Sequence, residues 1–149
     1  MEILLAYIGI AIMTAGTFVA SSIGVTITGN AVIGAMKKNP DAFGTYLLLS
    51  ALPASQGLYG LVAFFMLQGL LVEGISQLAA YAILTLGIMM AVAGLYSSIR
   101  QAQVCANGIT ATGAGHNVTA ATMVMAVFPE LYAILSLLVV ILTSFALNL

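Results

Sequence analysis

This sequence predicts an all-α membrane protein: four transmembrane helices arranged as two tandem helical hairpins. Three observations carry that expectation. The 149 residues are 62% hydrophobic and 5% charged, whereas a soluble domain carries roughly 25% charged residues. Such a chain cannot cover a water-facing surface and belongs in a bilayer. Its few charges sit in short clusters that punctuate four long apolar runs. The pattern of long helix, polar turn and long helix also occurs twice. An offset of 74 residues sets Gln56 on Glu130, Gly34 on Gly108, Thr45 on Thr119, Leu61 on Leu135 and Tyr7 on Tyr81.

The first helix is expected over about 3–36, a stretch without any charge. The acidic Met1-Glu2 start and the length of the run fit a retained membrane helix rather than a typical signal peptide. Small residues line it, with four-residue spacings at Ala11/Ala15, Gly16/Ala20 and Ala31/Ala35. That spacing lets helix backbones approach closely in lipid. Small residues along the whole length fit a crowded setting such as the inner wall of a ring.

Lys37-Lys38-Asn39-Pro40-Asp41 reads as a turn, because Pro40 restricts Asn39 and the charges prefer water. The second helix is expected over about 43–72, ending at Glu73-Gly74. The third runs over about 76–111, interrupted in character only by Arg100, and ends at the Gly113-to-Asn117 turn. The fourth covers about 118–147. Residues 1–74 and 75–149 thus form the two hairpins. A bilayer core of ~30 Å needs about 20 apolar residues, so each helix is long enough to project or tilt. Lys37 and Lys38 favour the cytoplasm. Both termini and the Glu73 turn then lie on the other side. A two-helix repeat keeps its orientation, unlike the inverted repeats of many secondary transporters.

Glu130 is the only charge between Asn117 and Leu149. A carboxylate at that depth costs at least ~2.5–3.5 kcal/mol on insertion scales, so partners are expected. Glu130 and Gln56 each lie about thirteen residues, or ~20 Å, past the turn that precedes them. Gln101 lies about eleven residues before the 112–117 turn, nearly at the same level. Leu52, Ser55, Gln56 and Tyr59 are spaced i, i+3, i+4, i+7 and share one helix face. A proton carrier needs little beyond the acid. This abundance of oxygen suits a hard monovalent cation, sodium, better. A plain helix–helix hydrogen-bond network is the alternative from spacing alone.

Pro53 and Pro129 lie beside these groups. Without their N–H groups, the Leu49 and Met125 carbonyls lose the usual intrahelical donors. Arg100 points about 100° away from Gln101. It is expected to snorkel toward the cytoplasm or a ring interior. Pairing with Glu130 instead would leave the site inert. The single cysteine, Cys105, excludes an internal disulfide framework and reads as a packing residue. No basic patch suits nucleic acid. The sequence also carries no phosphate loop, catalytic triad or zinc spacing. Asn117-Val118-Thr119 matches a glycosylation acceptor but falls in a turn expected in the cytoplasm.

Leu52-Pro53-Ala54-Ser55-Gln56-Gly57-Leu58-Tyr59-Gly60 and Pro129-Glu130-Leu131-Tyr132-Ala133-Ile134-Leu135 resemble the two signature stretches of a known family. It is the duplicated four-helix proteolipid, or subunit K, of V-type and bacterial V/A-type rotary ATPases. Tyr96-Ser97-Ser98-Ile99-Arg100-Gln101 is similar to its glutamine-bearing segment. The resemblance covers essentially the whole chain. It implies a homo-oligomeric rotor ring in a plasma membrane, bacterial for this type, with first and third helices inside. It implies Na+ held by the Glu130 carboxylate, the Gln56 and Gln101 side chains, the Ser55 hydroxyl and the Leu52 carbonyl. Tyr59 would hydrogen-bond Glu130, H+ is the alternative cargo, and no organic cofactor is needed. The implied partners are identical subunits, lipid, a stator membrane subunit with an essential arginine, and a central-stalk subunit at the cytoplasmic turns. The chain would have no catalytic site of its own. Pro129 and Arg100 depart from the sodium-type pattern. A stand-alone four-helix transporter or channel using Glu130 is the competing function.

Overall fold

The computed structural model describes residues 1–147, and among these it contains helices and turns but no strand. Four helices are long and apolar enough to cross a membrane: α1 (Glu2–Met36), α2 (Pro40–Leu70), α3 (Gln77–Gly113) and α4 (Thr119–Leu147). The chain is therefore an integral, multi-pass membrane protein. At ~1.5 Å per residue α1 and α3 are about 50–55 Å long, well beyond a hydrocarbon core.

The ends follow local chemistry. α2 begins earlier than expected, at Pro40, with a 3-10 turn over Pro40–Ala42. Proline's fixed φ and missing N–H suit a first helical position. Ser76 caps α3 by accepting from the Ala79 N–H at 3.2 Å. Gly74 and Gly115 have φ of +83° and +92°, so each turn needs a left-handed residue there. α4 stays helical through Pro129, whereas α2 tightens to a 3-10 segment at Leu52–Ala54, around Pro53.

α1 and α3 form the closest pair. Gly9 packs on the backbone of Ile83 and Leu84, Gly16 on Ala91, and Gly24 on Ser98. These partners lie 74 or 75 positions further along the chain, so the two helices run parallel, with positions related by the 74-residue offset facing one another. A Cβ on Gly9 would sit 2.6 Å from the Leu84 Cα, and one on Gly87 would meet the Gly9 carbonyl. Glycine here permits backbone-to-backbone contact. The small residues of α1 thus serve two faces. Gly9, Ala20, Gly24 and Ala35 are buried within the chain, whereas Ala11, Ala15 and Gly34 are exposed.

α2 packs on α1 through Gly57 against Ser21 and Gly60 against Thr17. α4 lies on α3, where Gly108 meets Thr122, and its next neighbour is the Ser55–Leu67 part of α2. Two apolar clusters result. One contains Met13, Leu67, Ile83, Met90 and Val140, the other Val32, Tyr46, Leu49, Cys105, Ile109 and Ala126. Along α2, α3 and α4, a polar set falls between them.

Candidate ion-binding site

The polar set is built from three helices. Glu130 of α4 is half-buried, and each of its carboxylate oxygens receives one donor. The Tyr59 hydroxyl donates to Oε1 at 2.7 Å, and Gln101 Nε2 donates to Oε2 at 2.9 Å. Charge-assisted bonds of this length are roughly twice as strong as neutral ones. Gln101 Nε2 also donates to the Ala126 carbonyl at 3.1 Å. Both groups facing the acid are donors, an arrangement suited to a carboxylate anion.

Gln56 stands behind Gln101. Its Nε2 donates to Gln101 Oε1 at 3.1 Å and to Ser97 Oγ at 3.0 Å. Both glutamines are fully buried. Gln56 Oε1, also buried, has no hydrogen-bond partner. An unsatisfied buried oxygen costs roughly 1–3 kcal/mol, and such an atom is a ready ligand for a proton donor or a cation. Among the described residues no group of three or more His, Cys, Asp or Glu could hold a metal ion. A cation here would depend on amide, hydroxyl and carbonyl oxygens around one carboxylate, which suits hard monovalent ions.

Ser55 donates to the Leu52 carbonyl at 3.0 Å, so these two expected ligands are bonded to one another. The carbonyls around the 3-10 segment are taken by hydroxyls from other helices. Thr28 donates to the Ser50 carbonyl at 3.0 Å and Ser21 to Ala54 at 3.1 Å, while the one Ser98 hydroxyl is shared between the Pro53 carbonyl at 3.0 Å and the Ala20 carbonyl of α1 at 2.9 Å. Proline was expected to free the Leu49 carbonyl. The hydroxyls instead take the Ser50 carbonyl just before the tightened turn and the Pro53 and Ala54 carbonyls within it, which staples this stretch to α1 and α3.

The structure thus joins Tyr59, Gln101 and Glu130 directly and brings Gln56 in through Gln101. Ser55 and Leu52 sit one turn before Gln56 and Tyr59 on α2. Arg100 is exposed and donates to Gln103 Oε1 at 3.1 Å. Among the described residues the one ion pair joins the N-terminal ammonium to Glu2, so Arg100 does not neutralise Glu130. Ser97 and the Ala126 carbonyl were missed by sequence reasoning. Four-residue spacing puts Ser97 on the face of Gln101, a signal that would have found it, whereas nothing in the sequence marks one backbone carbonyl such as that of Ala126.

The ATP synthase C-subunit family matches this chain twice, over residues 8–67 and 84–143. An A-type ATP synthase subunit K from Methanocaldococcus jannaschii is 34% identical over 134 residues. That match covers 90% of this chain, which spans 58% of the relative's length. A V-type sodium ATPase subunit K from Enterococcus hirae is 33% identical over 132 residues, covering 87% of this chain and 85% of the relative. With the family's unit recurring across both halves and Glu130 in the second, this chain belongs to the ATP synthase C-subunit family.

Proposed function

We propose that the chain is a rotor-ring subunit of a V/A-type ATPase and carries sodium across the membrane on Glu130. Identical copies would form the ring, and the chain itself would hydrolyse nothing. The end bearing Lys37, Lys38 and Gly115 would face the cytoplasm and a central stalk. Both termini would face away from it.

An ion enters from an aqueous path between ring and stator and meets the carboxylate. Turning the Gln101 amide over exchanges nitrogen for oxygen at Glu130, and Gln56 turns with it. The ion then gathers oxygens from Glu130, Gln101, Gln56, Ser55 and the Leu52 carbonyl. Its charge cancels that of the acid, so the site crosses lipid at little cost. Tyr59 holds the loaded carboxylate, and a stator arginine displaces the ion on the far side. Each ion moved through 100 mV is worth ~2.3 kcal/mol, so several must pass per ATP.

The observation that carries the sodium reading is Gln56 Oε1, a buried oxygen beside the acid's own partner that lacks any hydrogen bond. Sodium can draw this oxygen in as a further ligand, whereas a proton on Glu130 needs only one acceptor. The sodium ATPase relative points the same way. Carbodiimide labelling tests the reading: sodium is expected to protect Glu130. If it protects at no pH, the cargo is the proton.

Tyr59→Phe removes a hydrogen bond to a charged group, worth ~1.5–3 kcal/mol. Tyr59 also bonds the carboxylate before it is loaded, so the sodium concentration that half-protects Glu130 is expected to rise by only a fewfold, less than the bond's whole worth, with the ring intact on a native gel. An unchanged midpoint would remove Tyr59 from the holding role.

A further inference from the structure

Arg100 and Glu130 are the only formal charges near the middle of the chain's membrane-spanning helices. Lys37, Lys38 and Asp41 lie at one end of the bundle, and Glu2 and Glu73 at the other. Arg100 immediately precedes Gln101, whose Nε2 donates to the Glu130 carboxylate at 2.9 Å. It lines an apolar cavity of about 360 Å³ between α3 and α4, together with Tyr96, Ser97, Phe128, Pro129 and Tyr132. Two of these neighbours belong to the polar set or adjoin it. Ser97 accepts from Gln56 Nε2, and Pro129 precedes Glu130.

The guanidinium is held by a neutral partner, Gln103 Oε1 at 3.1 Å, and no carboxylate of the described residues pairs with it. The guanidinium therefore keeps a charge that can act on the site from the α3–α4 face, where salt screens less than in open water. An arginine in hydrocarbon is costly, and a neutral polar residue would serve equally well for packing and for a bond to Gln103.

From this placement we infer that Arg100 sets the affinity of the Glu130 site for its cargo, a monovalent cation, by repelling it. This rests on the carrier reading above and adds a residue outside the ligand set. A carrier must let go as well as bind. The fixed charge lowers the affinity of the loaded site without touching the ion, and so eases release. Lysine would do the same, since the effect depends on charge rather than on the fork of the guanidinium.

The test compares Arg100→Gln, Arg100→Lys and Gln103→Ala in the assembled ring, reading the sodium concentration that half-protects Glu130 from carbodiimide. Arg100→Gln is expected to bind more tightly, lowering that concentration about three- to tenfold. Arg100→Lys is expected to stay within about twofold of the natural chain, and Gln103→Ala, which keeps the charge, likewise. Equal midpoints in Arg100→Gln and the natural chain overturn the inference and leave the carrier reading standing. So does a shift of the same size in Arg100→Lys, which would mark a packing effect. If sodium fails to protect the natural chain, the carrier reading falls and the inference falls with it.

Discussion

Glu130→Gln is expected to abolish ion transport by the assembled complex while leaving the ring intact. Glutamine matches the acid in size and can still accept from Tyr59. What it loses is the charge. A neutral amide cannot compensate a desolvated cation, so the site has no means of taking its cargo across lipid. The fold loses nothing comparable, because an anion in this position is itself costly. Melting temperature is expected to be equal to or slightly above that of the natural chain. ATP-driven sodium uptake into vesicles and a native gel of the purified ring measure the two halves of the expectation. Normal uptake by the variant would refute the carrier role. Loss of the ring would mean that Glu130 holds the structure together.

Gly87→Leu is expected to be the most damaging single change to the fold. A Cβ there meets the Gly9 carbonyl, and backbone cannot turn aside as a side chain does. α1 and α3 would have to separate along the stretch that carries Met13, Ile83 and Met90. Overpacking alone costs ~1–3 kcal/mol, and a helix pair forced apart forfeits its neighbours' packing as well. We expect a loss above ~4 kcal/mol, read as failure to recover a detergent-stable ring. Gly44→Ala is the control. Nothing lies within 4 Å of a Cβ at Gly44, and alanine favours a helix. A normal ring from Gly87→Leu would show that α1 and α3 are not held as described.

Most of the fold could be read from where charges interrupt apolar runs. The four helices fall within a few residues of expectation, because membrane spans are fixed by length and polarity rather than by weak propensities. The doubling was visible as the 74-residue offset, but not that equivalent positions of α1 and α3 would pack against one another. The meeting of Gln56, Gln101 and Glu130 was visible as equal depth from the turns. Spacing could not order these groups. Gln101 touches the acid, whereas Gln56 reaches it only through Gln101, because that depends on helix rotation and side-chain length. Nor could it show that Ser21, Thr28 and Ser98 bond to α2 carbonyls. Serine and threonine are common in membrane helices, and nothing in the run marks which hydroxyl faces a tightened turn. Some of the small residues on α1 had a simpler use than a ring wall, since Gly9 and Gly24 already meet α3 and α2 of the same chain.

The parallel pairing of α1 with α3 has a consequence for biosynthesis. Gly9, Gly16 and Gly24 find their α3 partners only at residues 83–98. When the first half has left the ribosome and entered the membrane, the closest contact of α1 does not yet exist. At Gly9 and Gly16 that face is bare to lipid until the third segment arrives. Maturation must therefore wait for the second half, and a product truncated after Glu73 would offer that bare face to the corresponding segment of any neighbouring copy.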